Sequence, residues 1–280
     1  MEKKIILRGA LWGGIGGLLS FIFARIFAEP IIQRAIDYEG ERDEAQHMLD
    51  RAAGIDVHEE HGEIFTRTIQ ANVGIGLGMI AFGIAMGALF AVAYCVVYGR
   101  FSSLPPATLA LLLAGAMFLS VYVVPFLKYP ANPPSVGHEE TIGIRTVLYL
   151  VMVVASVLAL VGAVWLGRRL EPKFGMYSAT MLSGAAFIVV IGIVMLLLPA
   201  VGHLGANAEY GDFATETPQP MLDPGGRIVV AGFSADDLYS FRLYSLGAQL
   251  VLWATIGLGF APMATKMLGA PSSGRTAAVV

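Results

Sequence analysis

Six apolar runs decide what this chain can become. They cover roughly Ile5–Ala28, Ala71–Tyr98, Ala107–Leu127, Thr146–Leu166, Ala179–Leu204 and Leu243–Met267. Each is near or above the ~20 residues that carry a helix across a bilayer. The few charges inside them, such as Arg8, Arg25 and Lys266, sit near the ends. Backbone polar groups in lipid must bond within their own segment, so these runs predict helices. The alternating ten-residue strands of a membrane barrel are absent. Charged residues make up 14% of the chain, against about 25% in a soluble domain, and the mean hydropathy is +0.69. The expected fold is an all-α integral membrane protein, with residues 1–280 forming a single membrane domain of six transmembrane helices.

Lys3 and Lys4 precede the first run, as in a signal peptide, but "RIFAEP" has no small residue three positions before a cut after Ala28, so this run reads as a retained helix. Six crossings put both termini on one side. The pieces on that side are short and rich in Lys3, Lys4, Arg8, Arg100, Arg168, Arg169, Lys173, Lys266 and Arg275. Positive residues in short loops mark the cytoplasm, so both termini are expected inside. The long polar segments 29–70, 128–145 and 205–242 then form outer loops, the last a cap. Of the 21 acidic residues only Glu2 and Glu171 fall inside, and all five histidines fall outside. An acidic, histidine-bearing face concentrates cations.

The glycine spacings Gly13/Gly17, Gly74/Gly78 and Gly83/Gly87 predict close helix–helix packing. The single cysteine, Cys95, excludes an internal disulfide and multi-cysteine metal sites, and no phosphate-binding Gly-Lys-Ser/Thr loop is present.

Four polar groups stand out. "VHEEHGE", residues 57–63, places His58 and His61 three apart, with Glu59, Glu60 and Glu63 beside them. On a helix begun by Asp56 and Glu59 as a capping box, the two imidazoles share a face. Imidazole with carboxylate suits borderline divalent ions such as Co, Ni and Zn. Position 62 is Gly, so the zinc-protease pattern fails; a solvated helix start is the alternative reading. The second group is "KYPANPPSVGHEETIGIR", residues 128–145, whose prolines stiffen a loop bearing His138, Glu139 and Glu140. It reads equally as an ion-positioning loop or a structural cap. Third, Arg25 and Glu29 are spaced as an interfacial ion pair, or as functional charges at a span end. Fourth, Arg242, Ser245 and Gln249 share a helix face that should avoid lipid. His203 closes the fifth run as an anchor or a ligand. "DPGGRIVVAGF" predicts a short hairpin bent at Gly-Gly. No nucleophile–base set can be assembled, so an enzyme is not expected.

"EPIIQRAIDYE", "KYPANPPSVGHEETIGIRT" and "FRLYSLGAQLVLWATIGLGF" together resemble the CbtA family of predicted cobalt transporters, in order and across all six runs. The resemblance implies a multi-pass protein of a bacterial or archaeal inner membrane, linked to cobalamin synthesis, with cobalt(II) as the transported ion. It implies a small single-span CbtB-like partner subunit and no nucleic acid; no tightly bound cofactor is expected, and a homo-oligomer stays open. In this reading His58, His61, Glu59, Glu60 and Glu63 capture metal and pass it to His138, Glu139 and Glu140, His203 is a further candidate metal contact, and Arg25, Glu29, Gln249 and Arg242 line or gate the path. The rivals are a non-transporting scaffold or sensor subunit, and a carrier of nickel, zinc or a corrinoid.

Overall fold

The computed structural model describes residues 2–55, 67–100, 104–134, 136–205, 207 and 216–268. It is built of helices with one small hairpin, and five helices among the described residues are long and apolar enough to cross a membrane. The helices are α1 (Glu2–Phe27), α2 (Glu29–Ala52), the short α3 (Arg67–Ile69), α4 (Ile75–Tyr98), α5 (Pro106–Met117), α6 (Val124–Lys128), α7 (Ile142–Leu197) and α8 (Ala235–Leu268). Wider π-helical turns, Gln70–Gly74 and Phe118–Val123, lead into α4 and α6. With these turns, the second and third apolar runs become helices over Gln70–Tyr98 and Pro106–Lys128.

The 56 residues of α7 hold the fourth apolar run and the fifth as far as Leu197. A straight helix of that length would extend about 84 Å, far beyond a ~30 Å hydrocarbon core. It is not straight. Gly175 breaks the helical path at φ 74° and ψ 162°, a conformation open to a residue without Cβ. The halves on either side fold together: a Cβ on Gly167 would lie 3.1 Å from the Ser183 Oγ, and Met152 shares an apolar cluster with Ile191.

The chain divides into two compact units. The first comprises Met1–Ile22, Val73–Phe118 and Gln249–Val280. Its core gathers Ile5, Phe90, Tyr94, Leu109, Trp253, Ile256 and Phe260, with Cys95 packed against it. Here α1 and α4 meet backbone to backbone. A Cβ on Gly13 would stand 2.1 Å from the Gly83 carbonyl oxygen, and one on Gly87 2.1 Å from that of Gly9. Two of the three expected glycine spacings thus make the interface. Gly78 does not, for nothing lies within 4 Å of its missing Cβ.

The second unit comprises Phe23–Asn72 and Leu119–Ala248. The segment after the first span, read from sequence only as a polar loop, contains the 24-residue helix α2. Its inward stripe puts Ala35 and Tyr38 against Val136, Phe233 and Leu238. Polar contacts fasten the same helix: Arg34 pairs with Asp237 at 2.6 Å, the Tyr38 hydroxyl donates to the Ala231 carbonyl at 3.1 Å, and Arg42 donates to the Gln219 carbonyl at 2.8 Å. The expected hairpin is present as β1 (Met221–Leu222) and β2 (Ile228–Val230), antiparallel, with Gly226 at φ 77° in its bend.

Candidate functional site

The Pro-rich loop after α6 is where the second unit concentrates buried polarity. Pro130, Pro133 and Pro134 deny the loop backbone donors and helical pairing, so side chains from distant segments hold it. The Arg242 guanidinium, on α8, donates to the Ala131 carbonyl at 3.2 Å and to the Asn132 Oδ1 at 2.8 Å. The Tyr129 hydroxyl donates to the Pro199 carbonyl at 2.8 Å, and burial pushes this phenol up from its ordinary range, so it stays a donor at neutral pH. The loop closes on a short 3-10 turn, Glu139–Thr141, where the buried Thr141 hydroxyl donates to the His138 carbonyl at 2.8 Å.

One turn into α7, Arg145 meets Glu216 at 2.9 Å, and the Glu216 side chain is only 1% exposed. The second carboxylate oxygen accepts from the Asn207 amide at 2.9 Å, and that amide also donates to the Val201 carbonyl at 2.8 Å. A carboxylate removed from water needs such partners on both oxygens. Gly137 closes over the pair. At φ 126° it has a backbone that favours glycine, and a Cβ there would stand 2.9 Å from the Arg145 Nη1 and 3.3 Å from the Glu216 Oε2. Among the described residues the Asn207 Oδ1 has no hydrogen-bond partner.

Of these groups Tyr129, Asn132, Arg145, Glu216 and Arg242 border a cavity of about 650 Å³. Its lining includes the aromatic and apolar Tyr122, Phe126, Tyr149 and Leu150 and the polar Lys128, Asn132, Arg145, Glu216 and Arg242. The cavity wall is braced from α7, where Tyr149 and the buried Ser156 donate to the Val121 and Ser120 carbonyls. Both carbonyls belong to the π-helical turn, whose register frees carbonyls that an α-helix would use.

The metal-capture segment, Asp56, His58, Glu59, Glu60, His61 and Glu63, lies outside the described residues. His138 is half-buried in the loop, Glu140 is exposed, and Glu139 is placed by its backbone alone. His203 is exposed in the 3-10 turn Val201–His203. Among the described residues, no three of His, Cys, Asp and Glu come together as a metal site. The expected Arg25–Glu29 ion pair does not form. Glu29 is buried and pairs with Arg67 at 2.5 Å, while Arg25 donates to the Asn72 Oδ1 at 3.0 Å. Arg67, 38 residues further along the chain, takes Glu29 as its partner in place of Arg25. Gln249 is half-buried on α8, in the first unit. Sequence reasoning passed over Arg145, Asn207 and Glu216. The available signal was Arg145 itself, a charge entering an apolar run and therefore in need of a partner.

The family described as "Probable cobalt transporter subunit (CbtA)" matches residues 2–265. No curated protein and no solved structure matches the chain. With nearly its whole length matched and its helices apolar enough to span a bilayer, the chain belongs to the CbtA family of probable cobalt transporter subunits.

Proposed function

We propose that the chain is the multi-pass subunit of a cobalt(II) importer in a bacterial or archaeal inner membrane, serving cobalamin synthesis, and that it works with a small single-span CbtB-like partner. The family match over residues 2–265 carries this reading. In the proposed topology both termini are cytoplasmic and the chain crosses six times. The break at Gly175, beside Arg168, Arg169 and Lys173, supports two crossings within α7, since positive residues favour the cytoplasmic side.

His58 and His61 then capture the ion outside, with Glu59 and Glu60 as hard oxygen ligands. Capture weakens as pH falls through about 6.5, because a protonated imidazole cannot bind metal. His138, Glu139 and His203 take the ion next. Arg25, Glu29 and Gln249 are each assigned a path or gating role. Arg242 serves the path by holding the Pro-rich loop, as its bonds to Ala131 and Asn132 suggest. The drive is the membrane potential, since an entering divalent ion gains about 4.6 kcal/mol per 100 mV, or a force supplied by the partner. The test is cobalt accumulation in cells stripped of other cobalt importers. The proposal predicts uptake only when this chain and its partner are both expressed, and equal uptake without this chain contradicts it.

A further inference from the structure

The cavity under the Pro-rich loop has a charge pattern that cobalt transport does not use. Three cations, Lys128, Arg145 and Arg242, face it with one carboxylate, Glu216. That carboxylate is already engaged on both oxygens, by Arg145 and Asn207. Among the described residues Arg242 donates only to the neutral oxygens of Ala131 and Asn132. The Lys128 ammonium faces the Tyr129 ring, 5.9 Å from its centroid. Among the described residues, two cations therefore border the cavity with no counter-charge. Such a site repels a divalent cation and attracts an anion.

The rest of the lining narrows the class of anion. The cavity, about 650 Å³, has the size of a small-molecule site, about 300–1,000 Å³. Beside the cations its lining includes Tyr122, Phe126 and Leu150. A lining that combines cations with aromatic and apolar side chains suits an amphiphile with a charged head.

We propose that this cavity binds the phosphate headgroup of an anionic membrane lipid between Lys128 and Arg242, with its acyl chains along Tyr122, Phe126 and Leu150. Free inorganic phosphate offers the same chemistry without the chains, and the test separates the two.

The full-length chain is placed in nanodiscs of mixed phosphatidylglycerol and phosphatidylcholine, and the lipid retained after release is counted by native mass spectrometry. The proposal predicts preferential retention of phosphatidylglycerol, and millimolar inorganic phosphate leaves it in place. Lys128→Gln should lower the preference about fivefold, the effect of one surface cation, and Lys128→Arg should keep it. Arg242→Gln also loosens the loop, so Lys128, whose ammonium meets only the Tyr129 ring among the described residues, carries the decision. Equal retention of the two lipids by the unaltered chain overturns the proposal. Displacement by inorganic phosphate overturns the lipid assignment and makes the site one for a soluble anion.

Discussion

In the first unit backbone meets backbone, with Gly9, Gly13, Gly83 and Gly87 letting α1 and α4 approach until no Cβ fits between them. In the second unit polar side chains hold backbone that has no helix of its own, as Arg242, Tyr129 and the Arg145–Glu216–Asn207 set do around the Pro-rich loop. Lipid gives no hydrophobic reward for bringing two apolar helices together, so close packing must supply it. A loop at the end of a span has the reverse need, because its carbonyls and amides require partners. The contrast places close backbone packing in the first unit and buried polar pairing in the second.

The largest expected effect breaks the polar side of this contrast. Glu216→Ala leaves Arg145 and Asn207 without their buried acceptor, and removing one member of a buried pair costs about 3–5 kcal/mol. Arg145 keeps some access to water, so the lower end is expected, read as a fall in the thermal midpoint of the detergent-solubilised protein. Next comes the glycine interface. Gly87→Val drives a side chain into the Gly9 carbonyl, and overpacking of this kind costs about 1–3 kcal/mol. Gly78→Ala is its control. It meets open space and should be neutral or stabilising by up to about 1 kcal/mol through helix propensity. Equal losses at Gly87 and Gly78 would show that close approach is not what holds the first unit.

The same contrast explains what the sequence made legible. Hydropathy alone located α1, α4 and the helices around α5 to within a few residues, because a span must satisfy its backbone internally wherever its neighbours lie. Glycine spacing found the α1–α4 interface at Gly13/Gly17 and Gly83/Gly87, but it also flagged Gly74/Gly78, since spacing does not say which face meets a neighbour. Helix α2 went unread because only a narrow stripe, including Ala35 and Tyr38, is apolar, and its partners Phe233 and Leu238 lie some two hundred residues on. Arg145 and Glu216 are 71 residues apart, and no local pattern links them. Attention went to His138 and Glu139, whose residue types advertise metal chemistry, while the buried network formed beside them.

A smaller effect probes the cap hairpin of the second unit. The Asp223 carboxylate accepts from the backbone N–H groups of Arg227 and Gly225 and from the Arg227 guanidinium, and these bonds, the Arg227 N–H first, hold it below the usual carboxylate range. Its contribution is present above the ordinary carboxylate pKa of about 4 and is lost as pH falls through the depressed folded value. Hydrogen exchange should show hairpin amides losing protection over that acidic range before the helices do. An unchanged profile in Asp223→Asn would remove this account.

The central claim is that this chain moves cobalt. Its most direct test is cobalt entry into sealed liposomes holding the purified chain and the proposed single-span partner, under an imposed inside-negative potential. The account predicts entry above that of protein-free liposomes, rising with the potential and reduced by His58→Ala with His61→Ala. Entry no faster than into protein-free liposomes, with both subunits present and folded, would contradict it.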